Sequence, residues 1–370
     1  MSYTPNRDDP WERAAPERAG FHPGRLGEAV AFAEAEETAW PRALDRAGAL
    51  PGLTEIEPPP WNEVLGPLFP RGGPNGLILR GGRIAASWGE TDRADLTFSI
   101  AKSYLAVLAG LAIGDGLIGG LDEPAAERAP GALFSGGQNG AITWRHLLTQ
   151  TSEWEGTLFD KPDLVDRHRQ VGPEADNSRK GQHRDLQPPG TYWEYNDVRV
   201  NVLALALLQV FRRPLPEVLK QRIMDPIGAS AGWTWHAYRN AVVEIDGEPM
   251  ASVPGGSHWG GGLQISTLDH ARFALLVQRD GLWAGARLLP EGWCAELRRP
   301  CTINDSYGLL WWLNSGRREW PSGPERAYAA VGAGSNIIWI APEEELIVVA
   351  RWIDQGAVDG LIGRVMAALA

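Results

Sequence analysis

Apolar and polar residues follow two different periods in the first third of the chain. In residues 24–39 the apolar side chains recur three and four positions apart, the spacing of an amphipathic helix. Residues 76–89, GLILRGGRIAASWG, contain two β-rich runs joined by an Arg-Gly-Gly turn and predict a hairpin. An apolar helix is predicted next, roughly over residues 99–113. The proline- and glycine-rich residues 50–76 predict an ordered surface loop.

The second third of the chain is mostly helical, with long loops between the helices. Helix periodicity runs through residues 143–152 and 198–224. Between them, residues 160–190 are polar and rich in Asp, Arg, Gly and Pro, which predicts a long irregular segment of the kind that often carries function. The string GDGLIGG at 114–120 has GxGxxG spacing. Because it follows a helix rather than a strand, a helix end is favoured over a dinucleotide site.

Extended patterns return after residue 240. Further helices are predicted at residues 266–281 and 354–370. Strands are predicted at residues 241–253, 307–314, 326–334 and 336–352. Because strands lie on both sides of the helical segment, the sequence predicts an α+β fold, with an antiparallel β-sheet flanked by terminal helices and an all-α insertion. The predicted domains are a discontinuous sheet domain, residues 1–120 and 226–370, and a helical insertion domain, residues 121–225.

Composition limits the classes of function. The 370 residues are 44% hydrophobic and carry a formal net charge of -11. No basic stripe of the kind that binds nucleic acid is visible, and no run of about 18 apolar residues occurs. The first twenty residues have no apolar stretch typical of a secretory signal. We therefore expect a cytoplasmic protein that acts on a small molecule, without a nucleic-acid or membrane partner. The oligomeric state is not predicted.

No cofactor or metal site is predicted. Cys294 and Cys301 do not form a CxxC pair, and the seven histidines are scattered without an HExxH motif. No G-x-S-x-G elbow occurs, which argues against an α/β-hydrolase.

Lysine is rare in this chain, and one lysine stands in an unusual place. The four lysines are Lys102, Lys161, Lys180 and Lys220. Lys102 follows Ser99 by three residues at the start of the apolar helix, so both side chains share one helix face. A desolvated lysine has a lowered pKa and can act as a base, which activates serine without histidine. The helix start also offers the free backbone N–H of Ser99 to an oxyanion.

Tyr195 is the second candidate for catalysis. It follows a Pro-Gly turn and precedes a long apolar helix. A tyrosine at such a junction can lie beside a serine and a lysine, where its phenol can relay a proton to a leaving group. The alternative role of a loop tyrosine is packing.

Four segments occur in an order that resembles the serine β-lactamase-like superfamily. They are residues 98–125, 142–156, 188–197 and 260–281. The chain is similar to the class C branch, which includes penicillin-recognising enzymes, esterases and 6-aminohexanoate-dimer hydrolases, over roughly residues 20–370. By this resemblance Ser99 is the acylated nucleophile, Lys102 is its partner base, and Tyr195 is the tyrosine of the family's Y-x-N motif.

Two positions depart from the family pattern. The third position of Y-x-N is Asp197, and an ionised aspartate only accepts hydrogen bonds where asparagine also donates them. The K-T-G or H-x-G strand motif is best matched by Ala330-Val331-Gly332, so the cationic position is an alanine. Gly332 keeps its place, and Ala333 supplies the second oxyanion N–H.

A glycine-rich loop, GGSHWGGG at residues 255–262, contains His258 and Trp259. A lone histidine in such a loop is more often structural than catalytic, so we assign it no role.

The sequence thus predicts a serine hydrolase that forms an acyl-enzyme with a small ester or amide. Within the same fold, the alternative is a true β-lactamase or DD-peptidase. An alternative of another class is a catalytically silent ligand-binding protein on the same scaffold. Retention of Ser99, Lys102 and Tyr195 argues against a silent protein, whereas the altered second and third motifs keep that alternative open.

Overall fold

The computed structural model of the protein describes residues 3–5, 10–44, 57–172 and 174–370. Residues 50–56 of the predicted proline-rich loop lie outside the described residues. The α-helices of the described chain are α1 Pro23–Ala35, α2 Ile100–Gly114, α3 Gly136–Gly140, α4 Trp144–Leu148, α5 Asp197–Phe211, α6 Leu215–Leu219, α7 Thr267–Gln278, α8 Trp293–Leu297 and α9 Val358–Ala367.

The strands of the described chain are short apart from those of the central sheet. They are β1 Asn75–Arg80, β2 Arg83–Trp88, β3 Ala94–Leu96, β4 Thr157–Leu158, β5 Lys161–Pro162, β6 Thr234–His236, β7 Val242–Ile245, β8 Glu248–Ala251, β9 Gly262–Ser266, β10 Leu282–Trp283, β11 Ala286–Arg287, β12 Trp312–Leu313, β13 Tyr328–Gly332, β14 Asn336–Ala341 and β15 Leu346–Arg351.

A six-stranded antiparallel sheet forms the centre, in the order β12-β13-β14-β15-β1-β2. Side chains of a strand alternate between its two faces, and β14 divides its residues accordingly. Ile338 and Ile340 pack with α2 and α7, whereas Ile337 and Trp339 pack with α1 and α9. Both faces are therefore buried, which explains why these strands read as nearly continuous apolar runs. The predicted sheet with terminal helices on one face is the architecture of the protein.

The segment 121–225 contributes no strand to the six-stranded sheet in the described chain. It holds α3 to α6 and the small β4–β5 hairpin. Helix α5 packs against α2 and α4 in the main hydrophobic core. No helix of the described residues is long and apolar enough to cross a membrane.

Several predicted elements are shorter than expected; the helical run predicted at 198–224 breaks after α5, where Arg212 has a φ of 51°. Local geometry also accounts for three others. The helix predicted at 24–39 ends at Ala35, after which the chain pairs with Ile353 instead. The helix predicted at 143–152 ends at Leu148, because Gln150 turns the backbone with a φ of 61°. In the strand predicted at 307–314 only β12 is extended, because Leu310 has a φ of 58°.

Arg351 joins the central sheet to the smaller sheet β3-β9-β6. Its guanidinium is buried and donates to the carbonyl oxygens of Leu96 at 2.7 Å and Ile265 at 2.8 Å, and to Asn336 Oδ1 at 2.7 Å. Since β3 ends at Leu96, three residues before Ser99, this arginine fixes the approach of the chain to the start of α2. Its position at the end of β15 therefore connects the fold to the candidate site.

We expect Arg351→Met to lower the free energy of unfolding by about 3 kcal/mol, because two buried carbonyl groups lose a charged donor. Urea unfolding followed by circular dichroism measures this change. Arg326→Met is the matched control, since Arg326 is exposed and pairs with Glu343 at the surface. Equal stability of the two variants would contradict the linking role of Arg351.

Candidate active site

Ser99 stands at the N-cap of α2 and is half-buried. The preceding residue, Phe98, has a φ of 51°, a conformation that non-glycine residues adopt at a cost and that recurs at functional sites. One helical turn later, the fully buried Lys102 directs its Nζ to Ser99 Oγ at 2.9 Å. The predicted meeting of the two side chains on one helix face is present in the structure.

Asp197 is the charged partner of Lys102, with its Oδ1 against the Nζ. It occupies the first position of α5, where the helix dipole favours a negative charge. The preceding Asn196 does not take the place of Asp197 in the Y-x-N match. Its side-chain oxygen caps α5 by accepting from the backbone N–H of Arg199, and its side-chain amide donates to Asp163 O. Asp197 therefore occupies the third position of the Y-x-N match.

This ion pair overturns one expectation from the sequence. Burial alone would lower the pKa of Lys102, as expected for a desolvated lysine. The carboxylate of Asp197 is foremost among the groups that oppose burial, and the pKa of Lys102 is raised above its ordinary value. For the Asp197 carboxyl, burial works in the opposite direction, yet Lys102 and Arg169 hold its pKa well below the ordinary value. Lys102 is thus an ammonium in the resting site rather than a ready base.

Tyr195 lies beside the Lys102 ammonium, as the sequence predicts. The Nζ is 4.9 Å from the centre of its ring, and Trp312 stacks against the ring at 6.0 Å. Tyr195 is largely buried, but its hydroxyl makes no hydrogen bond to another described residue. The phenol can therefore exchange a proton with a bound molecule.

The end of β13 comes against the start of α2. A methyl group on Gly332 would lie 2.2 Å from Thr97 O and 3.2 Å from Ser99 N, so only glycine fits there. The backbone N–H groups of Ser99 and Ala333 donate to no acceptor in the described chain. Two free N–H groups, one at the start of α2 and one just after β13, have the chemistry of an oxyanion hole. Ala330, at the position of the family's cation, is buried in the core and offers neither charge nor donor.

The glycine-rich loop forms another wall of the site. A methyl group on Gly256 would lie 3.2 Å from Lys102 Nζ and 3.5 Å from Ser99 Oγ. The loop thus approaches the serine and the lysine with its backbone, which explains why small residues stand there. The sequence analysis noted the glycine-rich composition of this loop but did not predict that it lies against Ser99 and Lys102.

The irregular segment 160–190 sends three charged side chains toward the site. Arg169 Nη1 lies 2.5 Å from Asp197 Oδ2 and 3.3 Å from Asp166 Oδ2. Asp166 also accepts from the backbone N–H of Asp197 at 2.8 Å. Lys180 Nζ lies 3.2 Å from Asp166 Oδ1 and 2.8 Å from Glu57 Oε1. These residues were not identified from the sequence, which predicted only a long irregular segment of a kind that often carries function.

His258, to which the sequence analysis assigned no role, also contacts Asp197. Its Nδ1 lies 2.9 Å from Asp197 Oδ2, and its Nε2 contacts Glu57 Oε1. Burial would lower the pKa of His258, but the carboxylates, Glu57 foremost, raise it above its ordinary value. The other oxygen of Glu57 accepts from Trp259 Nε1 at 2.8 Å. His258 is therefore part of the charged network around Asp197.

One group of described residues has the ligand types of a metal site. Glu57, Asp166 and His258 each bring a possible ligand atom to within 4.8 Å of the others. The ammonium of Lys180 contacts both carboxylates, as described above. A lysine therefore already supplies the positive charge that such a cluster needs.

A cavity of about 710 Å³ lies away from these residues, beside α4 and α8. No predicted site residue lines it. Its charged side chains pair with each other, as Arg145 does with Asp122 at 2.6 Å and Arg299 with Glu296. The candidate active site is therefore the cluster at the start of α2.

The model of one protein family, Beta-lactamase, matches residues 79–356. The chain belongs to the beta-lactamase family. The matched span begins in β1 and includes Ser99, Lys102, Tyr195 and Asp197, as well as the end of β13. No relative was found among curated proteins.

Solved structures share the fold of this beta-lactamase-family protein. EstCE1, a hydrolase with promiscuous acyltransferase activity, is 16% identical with a TM-score of 0.60, covering 94% of this chain and 98% of its own. A beta-lactamase/D-alanine carboxypeptidase from Pseudomonas syringae is 16% identical with a TM-score of 0.57, covering 83% and 94%. A penicillin-binding protein homologue from Caulobacter crescentus is 15% identical with a TM-score of 0.57, covering 85% and 95%. The predicted fold class and family are confirmed.

We expect Asp197→Asn to lower the pKa of Lys102 by about two pH units. The variant removes the negative charge that stabilises the ammonium, whereas the burial that destabilises the ammonium remains. Proton-detected titration of protein labelled with 13C at lysine Cε measures it. Only four lysines give signals, and Lys102→Arg identifies the one of interest. An unchanged or raised Lys102 pKa in the variant would show that Asp197 does not control this charge.

Proposed function

We propose that the protein is a serine hydrolase that forms an acyl-enzyme at Ser99 with a small ester or amide. The observation that carries the proposal is the 2.9 Å contact between Ser99 Oγ and Lys102 Nζ at a helix start with a free backbone N–H. Family membership agrees with a hydrolase, but the bond that is cleaved is part of the proposal. No cofactor is needed for this chemistry.

Acylation begins from the neutral form of Lys102. The amine accepts the Ser99 proton while Oγ attacks the substrate carbonyl carbon, which forms the tetrahedral intermediate. The backbone N–H groups of Ser99 and Ala333 stabilise the oxyanion. Tyr195 gives its proton to the leaving group and regains one from Lys102. Water then attacks the acyl carbon with the same groups in reverse order, which restores Ser99.

The raised pKa of Lys102 sets the pH dependence of this mechanism. A base must be deprotonated, so kcat/KM rises with pH as Lys102 loses its proton. Because Asp197 raises the pKa of Lys102, the acid limb of the profile lies at higher pH than for a lysine without a carboxylate partner.

The proposed substrate is a small molecule, without a nucleic-acid or membrane partner, and the proposed location is cytoplasmic. The net charge of -11 supports the absence of a nucleic-acid partner. Retained nucleophile, lysine and tyrosine support an active enzyme over a silent binding protein.

We expect a fluorophosphonate probe to label wild type once and Ser99→Ala not at all, because the probe captures activated serine hydroxyls. Intact-mass spectrometry counts the adducts. Ser103→Ala is the matched control on the same helix, since its hydroxyl donates to Leu310 O instead. Labelled Ser99→Ala protein, or unlabelled wild type, would contradict the proposal, and hydrolysis of an aryl ester by Ser99→Ala would do so independently.

We expect a chromogenic cephalosporin to be hydrolysed with a kcat/KM at least about tenfold below that of an uncharged short-chain aryl ester. The loss of one charge-assisted contact to the β-lactam carboxylate has about this effect. Ala330 supplies no such contact, and Arg169 is already paired with Asp197 and Asp166. The measurement is kcat/KM for the cephalosporin and for the ester on the same protein preparation. Comparable values would favour the alternative, a β-lactamase or DD-peptidase.

A further inference from the structure

Both ring nitrogens of His258 face carboxylates. Nδ1 lies 2.9 Å from Asp197 Oδ2, and Nε2 contacts Glu57 Oε1. A neutral imidazole has a single N–H, so its second nitrogen would direct a lone pair at a carboxylate oxygen. Two carboxylate partners are satisfied together only by the doubly protonated imidazolium. The ring is fully buried, so no solvent replaces either contact.

The groups around His258 form a network of charges, and the buried Lys161 lies beside it, 5.1 Å from the Trp259 ring. Asp166 adds a third carboxylate near the ring, bonded to Arg169 and Lys180. With His258 protonated, four cations face three carboxylates. The cations are Lys102, Arg169, Lys180 and His258, and the carboxylates are Glu57, Asp166 and Asp197. His258 and Lys102 are therefore separated by a single carboxylate group, that of Asp197.

We propose that the His258 imidazolium limits the proton affinity of Lys102, acting through their shared partner Asp197. Lys102 uses Oδ1 of that carboxylate, and His258 uses Oδ2. A second cation on the same carboxylate opposes the ammonium form of Lys102, which therefore reaches its neutral form at a lower pH than with Asp197 alone. His258 is a positioning residue in this scheme, and Glu57 keeps it charged.

The consequence for catalysis rests on the proposed function, in which neutral Lys102 is the base. Asp197 makes that form scarce by raising the pKa of Lys102. Arg169 opposes this effect from the same carboxylate oxygen that His258 uses. Tyr195 and Ser99 are the remaining groups against the Nζ.

The test is a titration of Lys102 by 13C-lysine NMR in wild type, His258→Asn and the double variant Glu57→Gln/His258→Asn. Asparagine keeps an N–H donor near the position of Nδ1 but removes the charge. We expect the pKa of Lys102 to rise by about one pH unit in His258→Asn, as for a unit charge one carboxylate group away. In the double variant a negative charge is also removed, so the pKa returns toward the wild-type value.

His22→Asn is the matched control. His22 is the exposed N-cap of α1 on the opposite side of the central sheet, where asparagine caps equally well. The pKa of Lys102 in the His22→Asn variant should equal that in wild type. Circular dichroism confirms folding, and His258→Gln replaces His258→Asn if the latter does not fold.

The pH profile of aryl-ester hydrolysis provides the second readout. We expect the acid limb of kcat/KM to move to higher pH in His258→Asn, with most of the activity recovered at alkaline pH. An unchanged or lowered Lys102 pKa overturns the inference. A uniform loss of activity at all pH values, with the limb in place, would also overturn it, because that is the result of a purely structural role.

The two proposals fail in distinguishable ways. If wild type hydrolyses no ester and takes no probe while the Lys102 pKa rises as expected in His258→Asn, the hydrolase proposal is wrong and the coupling between His258 and Lys102 stands. If ester hydrolysis depends on Ser99 but the Lys102 pKa is the same in His258→Asn as in wild type, the hydrolase proposal stands and the coupling between His258 and Lys102 is wrong.

Discussion

The ion pair between Lys102 and Asp197 is the interaction around which the other charged groups of the site are arranged. A buried ammonium without a partner would lose its proton, and a buried carboxylate without partners would gain one. Each group therefore holds the other in its ionised form. Asp197 has two oxygens, and after Lys102 takes one, the other must be satisfied as well. Arg169 and His258 do so, and both are cations.

Those cations extend the network into two distant parts of the chain. Arg169 comes from the irregular segment 160–190 and His258 from the glycine-rich loop after β8. Each needs its own counter-charge, which Asp166 and Glu57 supply. Ions buried in this way gain little net stability, because desolvation offsets most of their attraction. The network is therefore better understood as a device that fixes charge and orientation around Ser99 than as a source of stability.

Sequence reasoning predicted the parts of the site that depend on local geometry. Ser99 and Lys102 lie three residues apart on one helix, so helix geometry alone brings them together. Tyr195 and Gly332 followed from the resemblance, and the structure brings both to the same place. The strands of the central sheet could be predicted from the sequence because they are buried on both faces and are therefore almost continuously apolar. Strand β12 was predicted too long because Leu310 adopts a left-handed backbone conformation.

The partners of Asp197 could not be predicted in the same way. Glu57, His258 and Arg169 are up to 201 residues apart in sequence and meet only in the folded chain. The available signals were indirect. Lysine is rare, yet Lys161 and Lys180 are buried as well as Lys102, and only Lys220 has a largely exposed side chain. The sign of the Lys102 pKa shift also depended on knowing that the carboxylate of Asp197 lies against the amine.

If Lys102 is the base, the rate depends both on how basic its neutral amine is and on what fraction of the protein holds that neutral form. This dependence explains why Asp197 needs cationic partners. Each pH unit by which a carboxylate raises the pKa of a lysine reduces its neutral fraction at neutral pH about tenfold. The neutral amine becomes a stronger base, but the gain in rate is smaller than the gain in basicity, as Brønsted behaviour requires. A lone aspartate beside Lys102 would therefore slow the reaction at neutral pH. Arg169 and His258, on the far oxygen of Asp197, reduce that cost without removing the contact between Asp197 and Lys102, so an aspartate in place of the family's asparagine fits the proposed mechanism.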